Sequence, residues 1–429
     1  MRVAFTTLGC KVNQYETENL SELFAADGFE VVDPSDFADV YVINSCTVTA
    51  SGDKKTRQLL RRLKKQNPAA VAALTGCFPQ AFPDAAEAIP EADVITGSSN
   101  RGDVLPAVKK ALATGKRVVR ILPHERGEKF EHMSVTGLRG RTRAFVKIED
   151  GCDRYCSYCI IPKARGPVRS KPLNEIREEL SALAENGYRE VVLVGVNLSS
   201  YGKEIGLRLI DAVQAACCTE GIRRVRLGSL EPELLTAEDI RAMAAEEKFC
   251  PQFHLSLQSG CDKTLREMNR HYDSAEYARI VSDIRAAFEN PSITTDVMVG
   301  FAGETEADFE ESLSFVQKIG FAKVHVFSYS RRPGTSADKR SGQVPSSVKE
   351  ERSRRMIEAT DATRKQFLLG QLGKTEEVLV ETTKSPLGYE GFTKNYTPVY
   401  VNCGPALCGN VVKMRLEAVL EGHCVGTLL

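Results

Sequence analysis

Short apolar runs alternate with amphipathic stretches along the first quarter of the chain. Residues 14–27 and 54–66 carry apolar side chains at helical spacing, and each follows a run typical of a strand. This alternation predicts a parallel sheet with helices on its faces. We therefore interpret residues 1–116 as a doubly wound α/β domain of flavodoxin-like size. Its predicted strands are residues 2–8, 39–43, 71–74 and 93–96.

The same alternation resumes beyond residues 117–137, a segment with Pro123, Gly127 and Gly137 that suits a linker. Six strand-helix units occupy residues 138–368. Because a complete barrel of this type has eight units, we expect a partial (βα)6 barrel. Its predicted strands are residues 144–148, 190–194, 224–227, 253–257, 294–299 and 323–327, and its helices include residues 173–185, 238–247, 274–288 and 306–319.

The pattern changes again in residues 369–429. Short β runs are separated there by glycines such as Gly388, Gly404 and Gly422, after a charged helical stretch that begins near residue 346. This predicts a small OB-like β-barrel. The chain is thus expected to hold three domains.

Composition narrows the class of protein. The 57 Lys and Arg residues balance the 57 Asp and Glu residues, and 42% of the chain is hydrophobic, so a disordered or rod-like protein is not expected. No apolar run approaches the roughly 20 residues that cross a bilayer. The first residues are typical of a strand and not of a signal or transit peptide. We expect a cytoplasmic protein without membrane association.

Thirteen cysteines are unusual in such a chain, and they favour metal binding or catalysis over a disulfide framework. Cys152, Cys156 and Cys159 follow the first predicted barrel strand with the spacing C-x3-C-x2-C. Three thiolates within eight residues can bind three corners of a four-iron cluster and leave one iron open. This spacing resembles the radical S-adenosylmethionine (SAM) superfamily, in which the open iron binds SAM and reduction yields a carbon radical. The alternatives are a zinc knuckle and a cysteine-rich loop, but no His or Cys that could be a fourth zinc ligand lies close by in the sequence.

Cys10, Cys46 and Cys77 each come directly after a predicted strand. The carboxyl ends of parallel strands share one edge of a sheet, where ligands bind, so these cysteines can converge. Gly9 and Gly76 let the backbone approach a bulky cofactor closely. A second three-cysteine cluster is favoured, although each cysteine taken singly also suits a structural role. The other seven are expected to be structural: Cys217, Cys218, Cys250, Cys261, Cys403, Cys408 and Cys424.

Several longer motifs carry a resemblance that extends over essentially the whole chain. They are residues 8–16 (LGCKVNQYE), 152–166, 254–260 (HLSLQSG) and 329–335 (YSRRPGT). Together they resemble the methylthiotransferase family of radical-SAM enzymes. Within that family, KVNQ at residues 11–14 and GVNLSSYG at 195–202 are most similar to the branch that modifies N6-threonylcarbamoyladenosine in tRNA.

The resemblance implies a cofactor set and a reaction. Cys10, Cys46 and Cys77 would hold one [4Fe-4S] cluster, where one SAM methylates sulfur. The Cys152 motif would hold a second [4Fe-4S] cluster, where another SAM supplies the radical that drives methylthio transfer to carbon 2 of the adenine at tRNA position 37. The C-terminal barrel would be a TRAM domain, and a reducing electron donor and a sulfur source would be needed. The residues expected to contact SAM are Tyr158, Glu231 and Gln258.

RNA has to reach the open face of the barrel. Residues 137–170 carry eight Lys and Arg against three Asp and Glu. Within this basic stretch, Lys163 and Arg165 are predicted to contact the tRNA backbone. Arg331 and Arg332 are also predicted to contact the tRNA. The C-terminal β domain has no surplus of basic residues, so its Tyr396 is predicted to bind RNA by stacking on a base.

Three alternative functions stay open at the level of the sequence. Two are methylthio transfer to isopentenyladenosine in tRNA or to an aspartate of a ribosomal protein. Both would use the same six cysteines. The third belongs to a different class, a non-catalytic RNA-binding iron–sulfur protein. Such a protein would need no open iron, so SAM cleavage discriminates it from an enzyme.

Overall fold

The N-terminal domain is built on six parallel strands. The computed structural model describes residues 1–138 and 140–429, and the strand order in this sheet is β2-β1-β3-β4-β5-β6. The strands are β1 (Arg2–Thr7), β2 (Glu30–Val32), β3 (Val40–Ser45), β4 (Val71–Gly76), β5 (Val94–Thr96) and β6 (Val118–Arg120). The helices are α1 (Lys11–Ala26), α2 (Ala50–Gln66), α3 (Cys77–Ala81), α4 (Pro83–Glu87) and α5 (Val104–Thr114).

This sheet extends into the segment predicted as a linker. Strand β6 pairs in parallel with β5, from Val118 opposite Val94 to Arg120 opposite Thr96. Further along the segment, Met133 is buried in the core of the central domain. The interpretation of residues 117–137 as a simple connector is therefore wrong at its start, where three residues complete the sheet.

The central domain is the expected partial barrel. Its two parallel sheets have the orders β11-β10-β7 and β12-β13-β14-β15. The strands are β7 (Arg143–Lys147), β8 (Glu149–Asp150), β9 (Arg169–Ser170), β10 (Glu190–Val194), β11 (Arg224–Leu227), β12 (Ser229–Leu230), β13 (Gln252–Leu255), β14 (Ser292–Val299) and β15 (Lys323–Ser328). The helices are α6 (Ile161–Arg165), α7 (Leu173–Glu185), α8 (Leu209–Cys218), α9 (Ala237–Ala244), α10 (Asp262–Glu267), α11 (Ser274–Ala287), α12 (Glu306–Ile319) and α13 (Ser346–Leu369).

Local signals determine where the barrel helices begin and end. At the start of α12, the Thr305 side chain accepts a hydrogen bond from the Asp308 backbone, and the Asp308 carboxylate accepts one from the Thr305 backbone. This reciprocal pair satisfies two backbone donors that have no partner within the helix. Gly320 ends the helix in the left-handed conformation, with φ +67°.

The C-terminal domain is a closed five-stranded barrel, as expected for an OB-like fold, with the strand order β16-β17-β18-β20-β19. It contacts β11 of the central domain, where Arg226 donates to the carbonyl oxygens of Thr393 (2.7 Å) and Lys394 (2.6 Å). Its strands are β16 (Thr375–Ser385), β17 (Gly388–Thr393), β18 (Pro398–Val401), β19 (Val411–Leu420) and β20 (His423–Leu428).

Helix α1 joins the N-terminal domain to the central one. Val12 and Tyr15 of α1 are buried in the central hydrophobic core. The Tyr15 hydroxyl donates to Glu179 of α7 (2.9 Å) and lies 3.0 Å from the carbonyl oxygen of Met133. The start of α1, which follows Cys10, is thereby held against the barrel.

Candidate active site

The three N-terminal cysteines lie at one edge of the first sheet. Cys10 separates β1 from α1, Cys46 directly follows β3, and Cys77 directly follows β4 as the first residue of α3. Strands β1, β3 and β4 are neighbours in the sheet, so their carboxyl ends are adjacent. We call Cys10, Cys46 and Cys77 the auxiliary triad. Cys10 is exposed, Cys46 is half-buried and Cys77 is buried.

Two glycines allow the close approach of these segments. Gly9 has φ +131°, and a Cβ atom added there would lie 2.9 Å from the Cβ atom of Cys46. Gly76 has φ +98°, and its added Cβ atom would lie 2.4 Å from Oδ1 of Asn44. Side chains other than hydrogen do not fit either position. Glycine is therefore required at both positions by the packing of the protein segments, and close approach to a cofactor stays a prediction.

Polar side chains contact the auxiliary triad from both domains. The Cys10 thiol lies 3.4 Å from Oδ1 of Asn13, and Nε of Arg165 donates to Sγ of Cys77 at 3.1 Å. Burial raises the pKa of the Cys77 thiol to about 12, against the opposing influence of Arg165. A free Cys77 is thus a protonated thiol, whereas coordination to a metal removes that proton.

Cys152, Cys156 and Cys159, which we call the radical-SAM triad, lie in the loop between β8 and α6. The backbone N–H of Cys152 donates to the carbonyl oxygen of Gly166 (3.0 Å), and the backbone N–H of Cys159 donates to the carbonyl oxygen of Cys156 (2.9 Å). Burial raises the pKa of Cys159 to about 12. The loop begins at Gly151, where φ is +91° and an added Cβ atom would lie 1.9 Å from the carbonyl oxygen of Pro167.

The two triads lie on neighbouring segments of different domains. Helices α3 and α6 pack against each other, and Cys77, Ala81, Ile160 and Ala164 form a small buried cluster between them. Helix α3 begins at a cysteine of the auxiliary triad, and α6 follows the last cysteine of the radical-SAM triad. A reactant held between the two loops would therefore have access to both sets of thiols.

Arg270 is a candidate functional residue that the sequence does not indicate. Its Nη1 atom lies 3.3 Å from Sγ of Cys156 and 3.3 Å from Oε1 of Glu231, and its Nη2 atom donates to the carbonyl oxygen of Ser256 at 3.2 Å. It follows α10, well outside the cysteine motif, and no spacing in the sequence marks it. Arg270 connects a predicted cluster ligand to a predicted SAM contact.

The three predicted SAM contacts lie around the radical-SAM triad or at the carboxyl ends of barrel strands. Tyr158 packs against the buried cluster of Phe301 and Tyr329. Glu231 follows β12 and forms an ion pair with Arg270. Gln258 follows β13 and has a left-handed backbone, φ +67°. Such a conformation is rare outside glycine and is concentrated at functional sites. SAM binding by these residues stays a prediction.

Cations converge in the barrel interior next to Cys10. Lys11, the first residue of α1, interacts electrostatically with Arg143 of β7, Arg226 of β11 and His325 of β15. Strand β7 is the first main strand of the partial barrel and β15 is the last, so a side chain close to both lies in the barrel interior. Lys11 is exposed, yet desolvation by the surrounding protein, together with Arg143 and Arg226, lowers its pKa to about 8.

These cations differ in their partners. Arg226 donates to Oε1 of Glu190 at 2.7 Å, and Arg143 lies 2.9 Å from Glu381. No hydrogen bond or ion pair is found for the Lys11 ammonium within residues 1–138 and 140–429. The barrel interior next to Cys10 therefore suits an anionic group on a substrate.

Two of the predicted RNA contacts are wrong. Arg165 is only 1% exposed, and its guanidinium is bound to Glu16, Asp150 and Cys77, so it cannot reach a phosphate. Arg332 is 2% exposed and forms an ion pair with Asp53 at 2.7 Å. Both arginines bind the protein itself and not the surface of an RNA.

The other predicted RNA contacts are accessible to different degrees. Lys163 is exposed and lines a cavity of about 910 Å³ together with the exposed Tyr155. Arg331 is also exposed, with Asp338 as an ion-pair partner at 3.0 Å. Tyr396 is half-buried between the central domain and the C-terminal barrel, where it stacks on Phe392. RNA contact by these residues stays a prediction. Arg139, in the same basic stretch as Lys163, lies outside the described residues.

A structural role for the seven remaining cysteines stays a prediction. No group of three or more His, Cys, Asp or Glu side chains in the described part of the chain is arranged to hold a single metal ion. The thiolates of an iron–sulfur cluster each bind a different iron, so they stand further apart than the ligands of one ion. Cys217, Cys250, Cys261 and Cys424 are buried, Cys218 is exposed, and Cys403 and Cys408 are half-buried.

Comparison with known proteins agrees with this architecture. Residues 146–316 match the model of the radical SAM superfamily, and residues 2–97 match the model described as uncharacterized protein family UPF0004. Among solved structures, the radical S-adenosylmethionine methyltransferase TsrM from Kitasatospora setae aligns with a TM-score of 0.56 at 13% identity, over 79% of this chain and 74% of that one. That likeness concerns the fold alone.

Curated relatives cover nearly the whole chain. The threonylcarbamoyladenosine tRNA methylthiotransferase MtaB of Bacillus subtilis is 35% identical over 96% of this chain and 93% of its own length. The enzyme of the same name from Thermotoga maritima is 38% identical over 88% and 86%. The tRNA-2-methylthio-N(6)-dimethylallyladenosine synthase of Pelotomaculum thermopropionicum is 34% identical over 98% and 96%. The chain belongs to the methylthiotransferase family of radical-SAM enzymes.

Proposed function

We propose that the protein transfers a methylthio group to carbon 2 of N6-threonylcarbamoyladenosine at position 37 of tRNA, using two [4Fe-4S] clusters and two molecules of SAM. The observation that carries this proposal is the pair of cysteine triads on adjoining loops of α3 and α6, in a chain that aligns over nearly its full length with methylthiotransferases of that name. Carbon 2 of adenine carries an unactivated C–H bond, which side-chain acids and bases cannot readily functionalise. When bound, the clusters and SAM supply radical and methylthio-transfer chemistry.

The residues of both triads fit such clusters. Each triad offers three thiols and leaves one corner of a four-iron cluster open. Each is preceded by a glycine that a Cβ atom would obstruct, Gly76 in one case and Gly151 in the other. Each also receives one hydrogen bond from a buried arginine, from Arg165 to Cys77 and from Arg270 to Cys156.

The protein's own side chains then position the reactants. Arg270 holds the Glu231 carboxylate next to Cys156, where it is available to a bound SAM. The packing of α3 on α6 excludes water from the side of the site that holds Cys77 and Ile160. The tRNA has to enter from an accessible side, and Lys163 is the cation we propose for its backbone.

The cations around Lys11 support the threonylcarbamoyl substrate over the isopentenyl one. The threonyl moiety ends in a carboxylate, whereas the isopentenyl group is apolar and uncharged. Carbon 2 and the N6 substituent flank the same ring nitrogen of adenine, so a carboxylate on that substituent lies near the atom to be modified. We propose that Lys11, adjacent to the proposed ligand Cys10, binds this carboxylate.

Mass spectrometry of tRNA nucleosides from a strain that lacks the gene tests the substrate. Loss of the methylthio form of N6-threonylcarbamoyladenosine, with accumulation of its unmodified parent, is the expected result. Loss of the methylthio form of isopentenyladenosine instead would establish the alternative that the dimethylallyladenosine synthases suggest. Unchanged tRNA nucleosides would favour a protein substrate or a non-catalytic role. In that case, production of 5′-deoxyadenosine by the reduced protein separates an enzyme from an RNA-binding protein.

The proposal also implies partners. A reducing electron donor and a sulfur source are required, and a tRNA substrate implies activity in the cytoplasm. No helix in the described residues has the length and apolar character needed to cross a membrane.

A further inference from the structure

Arg165 connects the two cysteine triads. It is the last residue of α6, six residues after Cys159, and so belongs to the segment that carries the radical-SAM triad. Its Nε atom nevertheless donates a hydrogen bond to Sγ of Cys77 in the auxiliary triad, at 3.1 Å. A side chain from the central domain thus contacts a proposed cluster ligand of the N-terminal domain.

All donor groups of the guanidinium have partners. The Nη1 atom lies 2.5 Å from Oε1 of Glu16 and 3.3 Å from Oδ1 of Asp150. The Nη2 atom donates to Oδ1 of Asn13 at 2.8 Å and to Oε2 of Glu16 at 3.1 Å. Because the carboxylates of Glu16 and Asp150 bind the Nη atoms of the guanidinium, the Nε–H is held in one direction, toward Cys77.

Asn13 extends this contact to a second ligand. Its Oδ1 atom accepts from Arg165 and also lies 3.4 Å from Sγ of Cys10. Arg165 therefore contacts Cys77 directly and Cys10 through one intermediate side chain.

We propose that Arg165 is a positioning residue of the auxiliary cluster, which fixes Cys77 and raises the reduction potential of that cluster. The inference rests on the proposed function, since that function makes the auxiliary triad a ligand set. A hydrogen bond to a ligand sulfur and a buried positive charge both stabilise the more negative, reduced form of an iron–sulfur cluster. Because Arg165 ends α6, which follows the radical-SAM triad, its contact with Cys77 also joins the segments that carry the two triads.

The chain offers a matched control. Arg101 is also buried, and its Nη2 atom lies 2.7 Å from Oε1 of Glu16 and 3.6 Å from Oδ2 of Asp150. It shares both carboxylate partners of Arg165, but no hydrogen bond to a cysteine is found for it among the described residues. Arg101→Lys therefore perturbs the same charged network without removing a donor to sulfur.

The test uses the full chain with the radical-SAM triad replaced by alanine, so that only the auxiliary cluster is observed. Arg165→Lys and Arg101→Lys are introduced separately, the proteins are reconstituted anaerobically, and iron content and the midpoint potential are measured by titration followed by electron paramagnetic resonance. Arg165→Lys retains the positive charge and loses the directed Nε–H donor. We expect its midpoint potential to shift to a more negative value, and that of Arg101→Lys to stay at the parent value.

Each outcome decides the matter. Equal potentials in Arg165→Lys and the parent, or equal shifts in both variants, would overturn the inference. If Arg165→Lys loses its iron while Arg101→Lys keeps it, the positioning role of Arg165 is supported. If both variants lose their iron, the charged network retains the cluster, and a specific role of Arg165 is overturned. A parent protein that binds no iron would instead contradict the proposed cofactor set. No tRNA is present, so the result does not depend on which nucleoside is the substrate.

Discussion

Replacing Gly76 by alanine tests whether the backbone geometry before Cys77 is required for the auxiliary triad. Gly76 has φ +98° and ψ −153°, a region open almost only to glycine, where another residue costs about 1 to 3 kcal/mol. The added Cβ atom would lie 2.4 Å from Oδ1 of Asn44 and 2.6 Å from the carbonyl oxygen of Ser45. Relieving such overlap in a packed interior costs about another 1 to 3 kcal/mol.

Gly76→Ala is thus expected to destabilise the N-terminal domain by about 2 to 6 kcal/mol, a large share of the roughly 5 to 15 kcal/mol that stabilises a domain. Gly28→Ala is the matched control, because Gly28 has φ +90° but nothing lies within 4 Å of its added Cβ atom. That change carries only the conformational cost, about 1 to 2 kcal/mol.

Hydrogen exchange measured by mass spectrometry on peptides from β3 and β4 reports the opening of this sheet. A loss of about 2 kcal/mol corresponds to about 30-fold faster exchange through opening. Iron analysis gives the second readout: Gly76→Ala should lose the iron of the auxiliary triad and keep that of the radical-SAM triad. Equal exchange in Gly76→Ala and Gly28→Ala, with full iron content in both, would refute the steric argument.

Three further changes address the clusters, the RNA and the substrate. Replacing Cys10, Cys46 and Cys77 by alanine should lower the iron content from about eight to about four per chain and abolish methylthio transfer, while SAM cleavage continues; full iron content in that variant would contradict the auxiliary cluster. Lys163→Ala should weaken tRNA binding and lower the log–log salt slope by about one unit, and an unchanged slope would show that this lysine contacts no phosphate. Lys11→Gln removes a charged partner worth about 1.5 to 3 kcal/mol, so kcat/KM for threonylcarbamoyladenosine-containing tRNA should fall about 10- to 150-fold at constant iron content. Equal activity of Lys11→Gln and the unsubstituted protein on that tRNA would exclude Lys11 from carboxylate recognition.

The fold could be predicted from the sequence because its elements carry periodic signals. Residues 190–194 and 224–227 are predicted strands, and the structure has β10 and β11 with the same bounds. Strand β6 was missed, since it has only three residues, among them the charged Arg120, and lies at the edge of the sheet. An edge strand pairs on one side only and needs no apolar alternation, so its sequence does not differ from that of a loop.

The placement of the auxiliary triad at one edge of the sheet could also be predicted, because the carboxyl ends of parallel strands share that edge. The distance from that edge to the radical-SAM triad could not be predicted from the sequence. It depends on the packing of α3 against α6, which involves small side chains such as Ala81 and Ala164. Alanines occur in most helices, so nothing in their local sequence indicates a contact between domains.

The error on Arg165 and Arg332 has a physical cause that applies to other basic stretches. A local count of charges assumes that cations near a functional motif face solvent, but a buried arginine is stabilised by carboxylates that can be remote in the sequence. The partner Glu16 precedes Arg165 by 149 residues, and Asp53 precedes Arg332 by 279. Arg165 and Arg332 each bind a carboxylate of the N-terminal domain. Arg165 and Arg332 therefore hold the N-terminal domain against the barrel, and exposed groups such as Lys163 remain the predicted RNA contacts.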